Sequence, residues 1–337
     1  MATTKAKTAK KSVAKKPKAR ATEKSKTSAK TVEAKTVKKE KVEAKVTETK
    51  TKVVSAKATK VSPVKKFFAR KGDPNENIIT IFKDTKIIGA LIAEIIGTAV
   101  IAMIALTLGL FNPLYIIFAY LGITLATFAL SGAHLNPIIS AGMAASRRIS
   151  LIRAILYIIA QVVGSFLGFL LINAFFKAGT GATAAEDGSS ASLPTLTALF
   201  TAGEGDDAGL NKLFWPIVMI EFIGAIILGF FYARALNFKR SAFTFAATVA
   251  TGVFVAMLFA VVITNTYLGL QDNTFVLNPA VSTVYGLFPS SAEGFDGLMS
   301  ALWPMLVAYV IFPIIGGILG FYLSDFAAQL SEQETTE

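Results

Sequence analysis

The hydropathy pattern divides most of the chain into six long apolar segments separated by polar stretches. A membrane-spanning helix needs roughly 20 mainly apolar residues, and these segments have about that length. Two further apolar runs, 136–146 and 278–288, are too short to cross a bilayer. The pattern therefore predicts an all-α membrane protein with two half-helices and six spanning helices, at residues 87–110, 114–131, 151–174, 214–234, 241–264 and 301–324.

Both short runs follow the same three residues, Leu-Asn-Pro, at 135–137 and 277–279. Asn is a preferred N-cap residue, and Pro suits the first helical position because its missing N–H would have no partner there. We therefore expect each Asn-Pro pair to begin a helix. Short apolar segments at matching places in two halves of a chain indicate half-helices that meet inside a bundle.

The two halves of the chain match at further positions. Glu94 and Gly97 in the first segment correspond to Glu221 and Gly224 in the fourth. Two glycines of the third segment likewise correspond to two of the sixth, namely Gly164 and Gly168 to Gly316 and Gly320. Because three spanning segments per half is an odd number, the second half must enter from the opposite side. This predicts an inverted 3+3 repeat, about 87–176 and 212–326, with its site at the membrane midplane.

Charge separates an N-terminal tail from the apolar domain. Residues 1–86 carry 26 Lys or Arg and 8 Asp or Glu, a net charge of +18, whereas residues 87–337 carry 8 and 14, a net charge of −6. The tail, 1–76, has one aromatic pair and too little apolar surface to offset its ordering entropy, so we expect it to be disordered. It is expected to be solvated, or to bind anionic lipid, with nucleic acid the weaker alternative. The membrane domain follows at 77–330, and 331–337 is a short acidic tail.

The charged loops predict the orientation in the membrane. Arg147, Arg148 and Arg153 follow the first short run, and the stretch 234–240 is also basic. The loop 177–212 is acidic, and 265–300 has no Lys or Arg. Since basic loops face the cytoplasm, both termini are predicted to be cytoplasmic in a multi-pass protein of the plasma or inner membrane.

The residue inventory excludes several kinds of chemistry. The chain has no cysteine and one histidine, His134, so disulfides, thiolate metal sites and His-rich metal clusters are excluded. We predict no metal site and no cofactor. No nucleophile–base pair or phosphate-binding Gly loop is visible in the sequence, so we do not expect an enzyme.

The two helix starts predict a path for neutral solutes. If they meet at the midplane, two positive helix ends face each other and repel cations. Non-helical backbone before each start, 132–135 and 274–277, is tolerated at that depth only if it is buried or lines water. Its carbonyl groups could then serve as a ladder of hydrogen-bond acceptors.

Three stretches resemble the major intrinsic proteins, the family of aquaporins and glycerol facilitators. They are "SGAHLNP" (131–137), "RAILYIIAQVVGS" (153–165) and "VIFPIIGGILG" (310–320). The resemblance implies an aquaporin-like bundle, a homotetramer with one pore per subunit, and passive conduction of water or small neutral solutes such as glycerol. It also implies that Glu94 and Glu221 are buried carboxylates that accept backbone N–H groups, and that His134 packs and orients the pore.

The sequence departs from this family at its most recognisable positions. The pore motifs read Asn136-Pro137-Ile138 and Asn278-Pro279-Ala280, so Ile138 adds bulk where the half-helices should pack. The family's outer filter carries an Arg after the second motif, and Val281 stands there instead. The other filter positions implied by the resemblance are Ile116 or Phe118 on the second segment, Val253 on the fifth and Phe275 before the second motif. The resulting filter is apolar and matches neither the water-specific nor the glycerol subtype.

Several alternatives stay open from the sequence. A secondary transporter would need ionisable groups facing the pore, and Glu94 and Glu221 are nearly the only candidates. A structural protein with a closed pore fits the apolar filter and the basic tail. The segment 265–277 could replace the missing Arg with Asn265, Gln271 or Asn273. The sequence does not rank water against glycerol, and the leading hypothesis is a passive channel.

Overall fold

A computed structural model describes residues 78–105, 113–180, 214–238, 241–268, 275–287 and 302–334. The basic tail, most of the loop 177–212, and Gln271 and Asn273 lie outside the described residues. The α-helices of the described part are α1 (Ile78–Lys83), α2 (Thr85–Ile104), α3 (Pro113–Ser131), α4 (Pro137–Ala145), α5 (Leu151–Thr180), α6 (Phe214–Ala235), α7 (Ala242–Val262), α8 (Pro279–Leu287) and α9 (Phe312–Glu334). A π-helical segment, Ile263–Tyr267, extends α7, and another, Val307–Ile311, precedes α9.

Six of the described helices are long and apolar enough to cross a membrane. They match the six predicted segments, and the prediction of an all-helical, multi-pass fold is confirmed. Their bounds are Thr85–Ile104, Leu114–Ser131, Leu151–Phe175, Phe214–Phe238, Ala242–Tyr267 and Leu302–Ser331. The last helix continues to Glu334, past residue 330, where the sequence analysis ended the channel domain.

The helix contacts repeat across the two halves of the chain. In the first half α2 packs on α5 and on α3, and in the second half α6 packs on α9 and on α7. Each half-helix also contacts the last long helix of the other half, α4 on α9 and α8 on α5. These exchanged contacts are those expected when two copies of one unit are interlocked, as in an inverted repeat.

Paired glycines permit the closest helix approaches. A Cβ atom on Gly164 or Gly168 of α5 would collide with the carbonyl oxygen of Ile95 or Ala99 on α2. The corresponding glycines of α9, Gly316 and Gly320, face the carbonyl oxygens of Phe222 and Ile226 on α6 in the same way. Small residues at helix interfaces allow backbones to approach closely in membranes. The glycine pairs found in the sequence therefore mark the two equivalent helix contacts.

A Gly164→Ala substitution is expected to lower the thermal stability of the protein, because its Cβ meets backbone atoms of Ile95 that have no room to move. Overpacking of this kind typically costs about 1–3 kcal/mol. Gly89→Ala on α2 is the control, since nothing lies within 4 Å of its added Cβ. Unfolding in detergent micelles, followed by tryptophan fluorescence, measures both variants. Equal melting temperatures for the two variants would contradict the packing described for α2 and α5.

Candidate functional site

The two Leu-Asn-Pro segments meet through a pair of crossed hydrogen bonds. The Asn136 side-chain Nδ2 donates to the carbonyl oxygen of Leu277 at 2.8 Å. The Asn278 side-chain Nδ2 donates to the carbonyl oxygen of Leu135 at 3.1 Å. All four residues are buried. Each Asn therefore joins its own half-helix to the loop that precedes the other one.

Each Asn also caps the half-helix that it begins. The Oδ1 atom of Asn136 accepts the N–H of Ile138, and that of Asn278 accepts the N–H of Ala280, at 3.0 and 3.1 Å. With Pro next, the first turn of each helix leaves few donors without a partner, as expected of an Asn-Pro start. One amide thus serves two purposes, since its oxygen caps the helix and its nitrogen holds the opposite loop.

The backbone before each Asn takes a conformation that suits these bonds. Leu135 and Leu277 both have left-handed backbone, with φ of 55° and 52°. For a residue with a Cβ this region typically costs about 1–3 kcal/mol. In return, each Leu carbonyl oxygen accepts a hydrogen bond from the opposite Asn. The same unusual conformation at equivalent positions is a further sign of the repeat.

Glu94 of α2 supports the backbone of the first loop, residues 132–135, which precedes α4. Its Oε1 atom accepts the N–H of His134 at 3.0 Å, and its Oε2 atom accepts the N–H of Leu135 at 2.6 Å. Gln161 Nε2 donates to the same Oε2 atom at 2.7 Å and to the Ser140 hydroxyl at 3.0 Å. Because a buried carboxylate is costly without donors, this network explains how Glu94 is accommodated in a spanning helix.

Glu221 of α6 supports the second loop, residues 275–277 before α8, in the same way but with fewer hydrogen-bond donors. Its Oε1 atom accepts the N–H groups of Val276 and Leu277, and its Oε2 atom shares the Leu277 N–H at 3.1 Å. The position that corresponds to Gln161 in the second half is Pro313, which has no side-chain donor. The two carboxylates are therefore equivalent in place but differ in how their oxygens are satisfied.

His134 is a buried residue of the first loop. Its Nδ1 atom lies 3.1 Å from the Ser140 hydroxyl. The ring packs edge-on against Tyr157 and Tyr232, with centroids 4.9 and 5.9 Å away. The hydroxyl of Tyr232 in turn donates to the carbonyl oxygen of Gly132 at 2.8 Å. In this setting His134 fixes the shape of the loop between α3 and α4.

The other end of α4 is fastened to α9. Arg148 Nη2 lies 2.7 Å from Asp325 Oδ1, and the Tyr322 hydroxyl donates to the Ala145 carbonyl at 2.9 Å. The ring of Phe321 fills the space that a side chain at Gly142 would need. The first half-helix is thus held at both of its ends.

A cavity lies beside Asn278, on one side of the crossed bonds. It leaves about 20 Å³ for the centres of water molecules, and roughly 10–15 Å³ suffices for one. The first half of the chain contributes Ile101, Ala105, Ile116 and Tyr120 to its wall. The second half contributes Leu228, Val253, Ala256, Met257, Val276, Leu277, Asn278 and Val281. The passage here is narrow and predominantly apolar.

Three of the residues assigned to the filter line this cavity together, namely Ile116, Val253 and Val281. Phe275 is fully buried next to the second loop, but it is not among the residues that line the cavity. Residues 269–274, between α7 and Phe275, lie outside the described residues. Of the residues considered as replacements for the missing Arg, Asn265 is exposed.

The alternative of Phe118 as a filter residue is corrected by the structure. Phe118 is 65% exposed on the outer surface of α3, whereas Ile116 is 4% exposed and lines the cavity. Two residues along a helix are about 200° apart around its axis, so both could not face the same passage.

The bulk that Ile138 adds where the half-helices pack is accommodated by a neighbouring helix. Its side chain is fully buried, and it packs on Gly317 of α9, where an added Cβ would collide with it. The crossed bonds of Asn136 and Asn278 form beside it. The larger side chain is thus accommodated by a glycine on a neighbouring helix.

The sequence analysis missed Tyr120, Met257 and Leu228 on the cavity wall. The helical period offers one signal for two of them, because Tyr120 follows Ile116 by four residues and Met257 follows Val253 by four. Residues four apart share one face of a helix. Extending each assigned filter position by one turn would have found both.

Comparisons with known proteins place the chain among membrane channels of one family. The family model described as Major intrinsic protein matches residues 81–323. The chain is 27% identical to Aquaporin-1 of Sus scrofa over 221 residues, which are 64% of this chain and 68% of that protein. It is 33% identical to Probable aquaporin PIP2-1 of Oryza sativa subsp. japonica over 121 residues, 34% of each chain. An X-ray structure of the aquaglyceroporin from Plasmodium falciparum matches with a TM-score of 0.48 and 19% identity, over 71% of this chain and 96% of that chain.

The two carboxylates are expected to differ in their response to the same substitution. Donors reach both oxygens of Glu94, so Glu94→Gln turns an NH₂ group toward one of them, at a cost of about 1–3 kcal/mol. In Glu221→Gln the amide oxygen at the Oε1 position can still accept both N–H groups, including the Leu277 N–H that Oε2 shares in the unchanged protein. Thermal unfolding of the two variants should therefore show the larger loss for Glu94→Gln. Since both substitutions keep the size of the side chain, a larger loss for Glu221→Gln would contradict the hydrogen-bond assignment.

Proposed function

The chain belongs to the major intrinsic protein family and is a passive transmembrane channel for water or small neutral solutes, and we propose that solutes pass through the cavity beside the crossed Asn residues. The observation that carries this proposal is the meeting of two half-helix starts in the interior of a six-helix bundle. It places Leu277 and Asn278 of the second helix start on the wall of the cavity.

The charge distribution at the helix starts supports selection for neutral solutes. The N-terminal ends of α4 and α8 each carry roughly half a positive charge from the peptide dipoles. Cations, including hydronium, are therefore repelled where the two helix starts meet. The carbonyl oxygens of Leu135 and Leu277 each accept one protein hydrogen bond and keep a second lone pair for a solute. Neutral molecules that donate and accept hydrogen bonds meet no such barrier.

The proposed outer constriction consists of Ile116, Val253 and Val281. An Arg at the position of Val281 would supply donors and a positive charge, and valine supplies neither. A polar solute therefore makes fewer hydrogen bonds here, and each bond it leaves unmade costs energy. Size and wetting of the passage consequently determine which solutes enter.

The carboxylates argue against a proton-coupled or cation-coupled transporter. Glu94 and Glu221 accept backbone N–H groups from the loops, and neither is among the residues that line the cavity. Both are occupied in holding the loops, so their role is structural. Passive conduction needs no further ionisable group.

The charged ends of the helices support an orientation with both termini in the cytoplasm. Arg147 and Arg148 lie between α4 and α5, Arg153 lies in the first turn of α5, and Arg234 lies near the end of α6. With an even number of spans, the basic stretches share one side, which the positive-inside tendency assigns to the cytoplasm.

The proposal includes a plasma or inner membrane location, a homotetramer as the family resemblance implies, and a basic tail that binds anionic lipid.

Stopped-flow light scattering on proteoliposomes tests the channel. Under a sucrose gradient the protein should accelerate osmotic shrinkage, and under a glycerol gradient it should accelerate re-swelling if glycerol is a permeant. Empty liposomes of the same lipid are the control. Water and glycerol rates equal to those of empty liposomes would contradict passage of either solute and favour a closed-pore protein.

A Val281→Arg substitution is expected to change the ratio of water to glycerol permeability, because it adds donors and a positive charge to the constriction. Val281→Met, which adds length but neither donors nor charge, is the matched control and measures how much of the change comes from the size of the side chain alone. The same stopped-flow measurement reads both variants. An unaltered ratio in Val281→Arg would show that this residue lies outside the selective part of the passage.

A further inference from the structure

The cavity wall carries two polar side chains, Tyr120 and Asn278, and the other ten residues that line it are apolar. Tyr120 lies on α3, one turn after Ile116, so both face the passage. The neighbouring Tyr115 is 55% exposed on the outside of the same helix, whereas Tyr120 is 9% exposed. The polar character of this wall is therefore concentrated at one place.

The Asn278 amide is largely committed to the fold. Its Oδ1 atom accepts the N–H of Ala280, and its Nδ2 atom donates to the carbonyl of Leu135. One N–H of the amide is left for a solute. Tyr120 belongs to the wall of the same cavity. A hydroxyl group can both donate and accept, so Tyr120 supplies the more versatile polar contact on the wall.

We propose that Tyr120 is a specificity-determining residue of the passage, and that the passage selects neutral solutes with one hydrogen-bonding group on an apolar body. This inference rests on the channel function proposed above. Such a solute pairs its polar group with Tyr120 and Asn278 while its apolar part contacts side chains such as Ile116 and Val253. A solute with polar groups on both sides leaves one of them without a partner against the apolar wall.

Acetamide and urea form a matched pair of probes, because urea has a second NH₂ group where acetamide has a methyl group. After subtraction of the rate in empty liposomes, the protein should pass acetamide about tenfold faster than urea. That factor corresponds to 1.4 kcal/mol, within the range for one hydrogen bond left unmade. Urea flux equal to or greater than acetamide flux would overturn the assigned solute class.

Tyr120→Phe removes the hydroxyl and keeps the ring, and it should lower acetamide flux relative to water flux about three- to tenfold. Tyr115→Phe on the outside of α3 is the matched control and should leave this ratio unchanged. Tyr120→Met removes the hydroxyl in a different shape, and melting temperatures show that each variant is folded. An acetamide-to-water ratio that is the same in all four proteins would overturn the role of Tyr120.

The two proposals fail in different ways. If the unchanged protein conducts water but the ratio does not respond to Tyr120→Phe, the inference on Tyr120 alone is wrong. If the unchanged protein conducts neither water nor acetamide, the proposed permeation path is wrong and the inference falls with it.

Discussion

The crossed hydrogen bonds between Asn136 and Leu277 and between Asn278 and Leu135 are the constraint on which the rest of this structure depends. They bring two half-helix starts together within the bundle, where neither helix could end without partners for its backbone. The carboxylates of Glu94 and Glu221 satisfy the loops from behind. Removing the crossed bonds would leave buried carbonyl oxygens unpaired, and removing the carboxylates would leave buried N–H groups unpaired, so the pore and the fold are held by the same bonds.

The arrangement separates two tasks that a pore of this kind must perform. Charge exclusion comes from the helix ends, which are backbone features and survive substitutions of side chains around them. Solute discrimination comes from the side chains of the cavity wall, which are free to vary. Here that wall is apolar at Ile116, Val253 and Val281, with polar groups at Tyr120 and Asn278. We propose that the chain keeps a barrier to cations at these helix ends while changing the contacts that a neutral solute meets.

The sequence predicted the spans, the half-helices and the repeat because each has a strong local signal. Long apolar runs, Asn-Pro starts and paired glycines follow from the membrane and from backbone geometry alone. The rotation of α3 had a weaker signal, a stripe of polar residues at helical spacing formed by Tyr120, Thr124, Thr127 and Ser131. This stripe lies on the same face as Ile116, and the tertiary contacts decided between Ile116 and Phe118. The fit of Ile138 against Gly317 and the role of Tyr120 likewise depend on which helices are neighbours.

Cysteine labelling tests most directly whether solutes pass through this cavity, because the chain has no cysteine of its own. Val253→Cys on α7 places a thiol on the cavity wall, and Val262→Cys places one on the same helix at a 44% exposed position. After treatment with mercuric chloride, with labelling checked by mass spectrometry, osmotic water flow should fall sharply in Val253→Cys and persist in Val262→Cys and the unchanged protein. Full water flow through labelled Val253→Cys would contradict the assigned path.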